Sequence, residues 1–102
     1  MSQERRASKR VTYFAEAELE GVDVSRLLVR LADLSVTGAF VDVRNVFPTG
    51  TTARLRFTVL GRQISVLAEV RYSMPTFGMG MRFLDLTPED RTLIEEFIGQ
   101  QG

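Results

Sequence analysis

The chain has 102 residues, 44% of them hydrophobic, which suits one small domain with a single modest core and leaves no room for a second. It has no cysteine and no histidine, which excludes a disulfide framework, a thiolate zinc site, and both the commonest general base and the commonest metal ligand. Thirteen basic residues balance thirteen acidic ones, unlike the basic excess of a nucleic-acid-binding domain, and no run approaches the roughly 20 apolar residues of a membrane helix or forms the apolar core of a signal peptide, so no membrane insertion and a cytoplasmic location are expected.

The charge is unevenly placed. Arg5, Arg6, Lys9 and Arg10 lie within six residues, while Asp85, Glu89, Asp90, Glu95 and Glu96 lie near the other end. A guanidinium presents a rigid fork of donors that pairs with phosphate oxygens and can lie flat on a base, so residues 5–10 read as an anion clamp; the alternative is a solubilising tail. Self-repulsion predicts a flexible basic segment over residues 1–10.

From Val11 to Leu19 apolar Val11, Tyr13, Ala15, Ala17 and Leu19 alternate with polar residues, as in a half-buried strand, with Phe14 placed on the other face. Gly21 and Asp23 predict a turn, Ser25–Leu34 a second strand, and Ala39–Val43 a third. Asn45, Pro48 and Gly50 punctuate a loop before a fourth strand over Thr52–Leu60, a hairpin turn at Gly61-Arg62, and a fifth strand over Gln63–Tyr72. Met74, Pro75 and Thr76 break that strand, and Phe77–Leu84 makes a sixth. The end is helical: Thr87 is placed to cap, Pro88 suits the first turn, Glu89 and Asp90 complement the positive helix end, Leu93, Ile94, Phe97 and Ile98 share a face, and Gly99 predicts the stop. An all-β domain with one terminal helix follows, as an antiparallel barrel or strongly curved sheet with the apolar helix face covering an open end.

Between the second and third strands stands Asp33-Leu34-Ser35-Val36-Thr37-Gly38. On extended backbone the Asp33 and Ser35 side chains project from one face. Gly38 permits positive φ or close approach to bare backbone. A carboxylate matches the donor edge of guanine, whereas an arginine reads its acceptor edge. The alternative is that both side chains bond to the backbone of the turn.

Taken together, Arg6-x-x-x-Arg10 followed by Asp33-x-Ser35-x-x-Gly38 resembles the paired signature of PilZ domains, the bacterial receptors for cyclic di-GMP. Gly78-Met79-Gly80-Met81-Arg82-Phe83 is similar to the family's last strand, and Leu84-Asp85-Leu86-Thr87-Pro88-Glu89-Asp90 to its lead into the closing helix. The resemblance spans nearly the whole chain and implies a six-stranded antiparallel barrel over residues 11–99, closed by a C-terminal α-helix, with residues 100–102 as a tail. It implies that Arg6 and Arg10 grip phosphates and guanine, that Asp33 and Ser35 read guanine and complete the polar ring, and that Gly38 leaves room for the ligand. An arginine at Arg5 resembles family members that hold a self-stacked pair of ligand molecules. Gly78, Gly80 and Arg82 are assigned to structure.

The expected function is ligand binding rather than catalysis: a cyclic di-GMP receptor with no other cofactor, in which the ligand orders the basic segment and a downstream protein reads the new surface in motility or biofilm control. A monomer or weak dimer is expected. Three other classes stand beside this reading. One is an adaptor barrel working by constitutive protein contacts. A second is a nucleic-acid-binding barrel, disfavoured because Tyr13, Phe14, Phe40, Phe57, Tyr72, Phe77 and Phe83 alternate as core residues do. The last is an enzyme, disfavoured because no nucleophile stands beside a base and no residues cluster as metal ligands.

Overall fold

A computed structural model describes residues 9–21 and 26–101. Its strands are β1 (Val11–Glu20), β2 (Leu27–Leu34), β3 (Gly38–Asp42), β4 (Thr52–Val59), β5 (Arg62–Met74) and β6 (Gly78–Phe83), followed by helix α1 (Pro88–Gln101). All neighbouring strands run antiparallel and close into a barrel in the order β1-β2-β3-β6-β5-β4. Alternation builds it: Leu19, Leu31, Val41, Leu55, Ile64, Val66, Val70 and Met79 are fully buried inside, and the polar residues between them face out.

Helix α1 covers the core as its periodicity predicts. Ile94 and Ile98 are buried in the core, and Leu93 and Phe97 pack partly buried against it. The Phe97 ring meets Tyr13 edge-on at 4.7 Å between centroids, and the Tyr13 hydroxyl donates to the Thr58 carbonyl, so one side chain ties β1, β4 and α1 together. Desolvation raises the Tyr13 pKa. The Asp90 amide donates to Thr87 Oγ1 at 3.1 Å, confirming the cap. Asp85 pins the approach to the helix by accepting from the Leu67 amide at 2.7 Å.

Several boundaries differ from expectation. Gly99 does not stop the helix, which runs to Gln101: residue 99 is exposed, keeps a regular helical backbone, and costs only about 1 kcal/mol relative to alanine. Residues 100 and 101 are therefore helical rather than tail. Strand β5 continues past Tyr72 to Met74, while Phe77 and Leu84 fall outside β6. The start of the second strand at Ser25 and the turn residue Asp23 lie outside the described residues.

The β4–β5 turn is also shifted by one residue. Val59 pairs with Arg62, leaving Leu60 and Gly61 as a two-residue loop with φ of 50° and 81°. Both positive values match the hairpin turn that favours Asn-Gly, and an exposed leucine is an unfavourable occupant of its first position. Leu60→Asn is expected to stabilise the protein by about 0.5–1 kcal/mol. A thermal melt raised by roughly 2–8 °C is the expected result.

Outside the barrel, Arg56 Nη1 meets Glu20 Oε1 at 2.8 Å, joining β4 to β1. The hydrogen bond from Arg56, and then its charge, hold the Glu20 carboxyl below the usual glutamate range. That stabilisation is present above the ordinary carboxyl range and is lost as the pH falls through the lowered folded value.

Candidate functional site

The register of the barrel assembles the site. Thr12 on β1 stands opposite Asp33 on β2, Asp33 opposite Phe40 on β3, Phe40 opposite Gly80 on β6, and Gly80 opposite Tyr72 on β5. These residues form one row across five strands on the outer wall. Arg10 lies two residues before Thr12 and therefore on the same side. Its Nη1 donates to Asp33 Oδ1 at 2.6 Å, and the same oxygen accepts from the Phe40 amide at 3.0 Å. The two sequence motifs thus meet through a pair of partly exposed side chains.

Ser35 has a different position from the one its spacing suggested. Asp33 and Ser35 do not project together, because the chain leaves the strand after Leu34 and turns. The Ser35 amide donates to the Gly38 carbonyl at 2.9 Å. Ser35 Oγ is fully buried, where it accepts from the amides of Thr37 and Gly38, both at 3.2 Å. The hydroxyl therefore holds the β2–β3 hairpin closed and leaves Asp33 as the motif side chain on the open face. Replacing it with apolar bulk would strand two amides, at about 1–3 kcal/mol each if buried.

Gly38 is required by the barrel itself. A Cβ there would overlap the Met81 carbonyl oxygen of β6, so what approaches the bare backbone is the neighbouring strand. Its φ is not among the positive ones. Arg5 and Arg6 lie outside the described residues.

Beside Arg10 lies a groove of about 260 Å³ lined by Thr37, Arg71, Tyr72, Gly80, Met81 and Arg82 as well as Arg10. Three guanidiniums and an aromatic face converge there. Arg71 Nη1 lies 3.7 Å from Glu69 Oε1, whereas Arg82 has no ion-pair partner among the described residues. A larger concavity of about 370 Å³ is lined by Glu16, Leu28, Val29, Arg30 and Asp42. It sets one arginine against two carboxylates and so has no positive potential for an anion.

Two expectations are corrected by this groove. Arg82 is not merely a strand charge, since it lines the groove. The aromatic residues are not all core: Tyr72 is 49% exposed, Phe14 70% and Phe77 69%. The reason at Tyr72 is a β-bulge. Strict alternation from Val66, Ala68 and Val70 would turn Tyr72 inward, but the β5–β6 register shifts between Val70 and Tyr72, leaving Arg71 and Tyr72 both outside. Gly80 completes the arrangement, because a Cβ there would overlap the Tyr72 ring that lies across it. The Phe40 ring follows at 6.2 Å from Tyr72. Sequence reasoning missed Arg71, Tyr72 and Thr37; the one hint was a glycine inside a strand.

Among the described residues, no group of three or more His, Cys, Asp or Glu side chains could hold a metal ion, and no helix is long and apolar enough to cross a membrane.

Comparison with solved structures shows the same fold elsewhere. The chain superposes on the Bacillus subtilis inhibitor of motility MotI/DgrA with a TM-score of 0.79 at 20% identity, covering 95% of this chain and 51% of that one. For Escherichia coli YcgR in complex with c-di-GMP the TM-score is 0.79 at 21% identity, covering 95% and 46%. For the isolated YcgR PilZ domain with c-di-GMP it is 0.70 at 18% identity, covering 95% and 94%. The chain thus spans about half of the first two proteins and nearly all of the isolated domain. No curated protein matches the sequence. PilZ domains are typically non-catalytic receptor domains. The PilZ domain model matches residues 4–100, and with the closed six-stranded barrel and its single terminal helix, this chain belongs to the PilZ family.

Proposed function

We propose that the protein is a bacterial, cytoplasmic receptor for cyclic di-GMP that acts by binding and not by catalysis. The observation that carries this reading is the convergence of Arg10, Arg71, Arg82 and the exposed Tyr72 ring around one groove, with Asp33 bonded to Arg10 at its margin. A ligand with two phosphates and two guanines needs those parts: guanidinium forks for phosphate, an acceptor for the guanine donor edge, and an aromatic face for stacking. Asp33 Oδ1 already serves Arg10 and Phe40, so Oδ2 is the atom assigned to guanine. Arg10, held at one nitrogen, keeps its remaining donors for phosphate. Ser35 and Gly38 contribute by fixing the hairpin that carries Asp33.

The groove is smaller than the roughly 300–1,000 Å³ of ordinary small-molecule sites. Arg5 and Arg6 are the residues assigned to complete it from the N-terminal side, Arg5 in the second-ligand role. Binding in this scheme fixes residues 5–10 on the barrel, and the joint surface of protein and nucleotide is what a downstream protein reads. The structures of YcgR with c-di-GMP support the ligand class.

The test is a calorimetric titration of the protein with cyclic di-GMP beside an Arg6→Ala, Arg10→Ala double variant. Binding in the parent and its loss in the variant are expected, with Arg5→Ala reducing any two-ligand stoichiometry to one. A folded parent that gives no heat would overturn the receptor reading in favour of the adaptor.

A further inference from the structure

One arginine of the groove, Arg71, is paired with a carboxylate that the two motifs do not include. Glu69 lies on β5 directly opposite Arg82 on β6 and two residues before Arg71, so all three side chains share the outer face. Its Oε1 stands 3.7 Å from Arg71 Nη1. Asp33 also pairs with an arginine of the groove, but as a hydrogen bond at 2.6 Å from Arg10, and it binds the Phe40 amide and so helps to build the wall. Glu69 is partly exposed, and Arg71 is its one ion-pair partner among the described residues.

We propose that Glu69 is an internal competitor for Arg71, occupying the guanidinium that a ligand phosphate would take and holding the affinity of the groove below what its three arginines would otherwise give. The proposal rests on the nucleotide-receptor reading above. The physical basis is that one guanidinium edge presents its paired donors to one oxyanion group at a time. A phosphate that approaches Arg71 must displace the Glu69 carboxylate or accept poorer geometry, and it also meets a second negative charge. An exposed pair is weak, so the effect is a tuning of affinity and not a block. Glu69 thereby sets the ligand concentration at which the receptor fills.

Glu69→Gln removes the charge and keeps the shape. The expected result is cyclic di-GMP binding about two- to fivefold tighter than in the parent, with the thermal melt nearly unchanged. In an Arg71→Gln background the same change should gain less than about twofold, because the competed group is gone. A parent that binds and a Glu69→Gln variant that binds no tighter would overturn the inference and leave the receptor reading intact. An undiminished gain in the Arg71→Gln background would also overturn it, since Glu69 would then act through its general field. Binding by Glu69→Gln alone would overturn both, since the parent would then be no receptor and Glu69 a block rather than a tuning charge. Absence of binding in both proteins, folded, would overturn both.

Discussion

Arg10→Ala is expected to weaken cyclic di-GMP binding by roughly 10- to 150-fold, the equivalent of about 1.5–3 kcal/mol for hydrogen bonds to a charged group. The loss has two parts. The phosphate loses a fork of charge-assisted donors, and Asp33, no longer paired at 2.6 Å, presents an uncompensated negative charge to an anionic ligand. Stability should scarcely change, because both partners are substantially exposed and such pairs contribute about 0–1 kcal/mol. Arg10→Lys separates charge from geometry: an ammonium restores the sign but not the planar fork, so only partial recovery is expected. Calorimetric titration and thermal melts on the same samples check both halves. A large fall in melting temperature would show instead that Arg10 holds the barrel together.

Gly38→Ala is expected to be among the most destabilising single substitutions in the protein, and Gly80→Ala to act almost entirely on the ligand. At Gly38 the colliding atom is the Met81 carbonyl oxygen of the paired strand. Backbone atoms in a closed ladder cannot swing aside, so the strands must separate at about 2–4 kcal/mol. Against the roughly 5–15 kcal/mol of a typical domain, that lowers the melting temperature by about 10–20 °C. At Gly80 the colliding group is the far end of the Tyr72 side chain, which is half exposed and free to rotate. The melt should therefore move by only a few degrees, while loss of the stacking surface weakens binding by an amount like the roughly 1–3 kcal/mol of one base-aromatic contact. Equal stability losses in the two variants would contradict this assignment.

The fold was legible because its elements carry local signatures. Alternation over Val11–Leu19 and Gln63–Val70 marks strands, and the Thr87 cap with Pro88 marks the helix start. Pairing around the closed barrel then determined which outward residues meet, and this the sequence does not display. Arg10 and Asp33 could be linked through their motif spacing. Arg71 and Arg82 come from other strands and join them only through the row from Thr12 to Tyr72. Tyr72 was hidden for a further reason: the bulge between Val70 and Tyr72 leaves Arg71 outside as alternation predicts and turns Tyr72 outside as well, and no turn-forming residue marks it. At Ser35 the local signal was ambiguous in kind, since the same hydroxyl suits a ligand contact and a hairpin staple. The fold uses it as the staple.

The closed pairing of the six strands also limits how a partner could dock on the barrel. A sheet with a free margin can recruit an extended peptide as one more strand, a mode in which backbone groups supply the affinity whether or not a second messenger is bound. In this barrel every strand has a neighbour on both sides, although β1 meets β4 only over residues 17–20. Under the proposed receptor reading, a partner that docks on side chains, hairpin tips and the nucleotide loses part of its contact when the nucleotide departs.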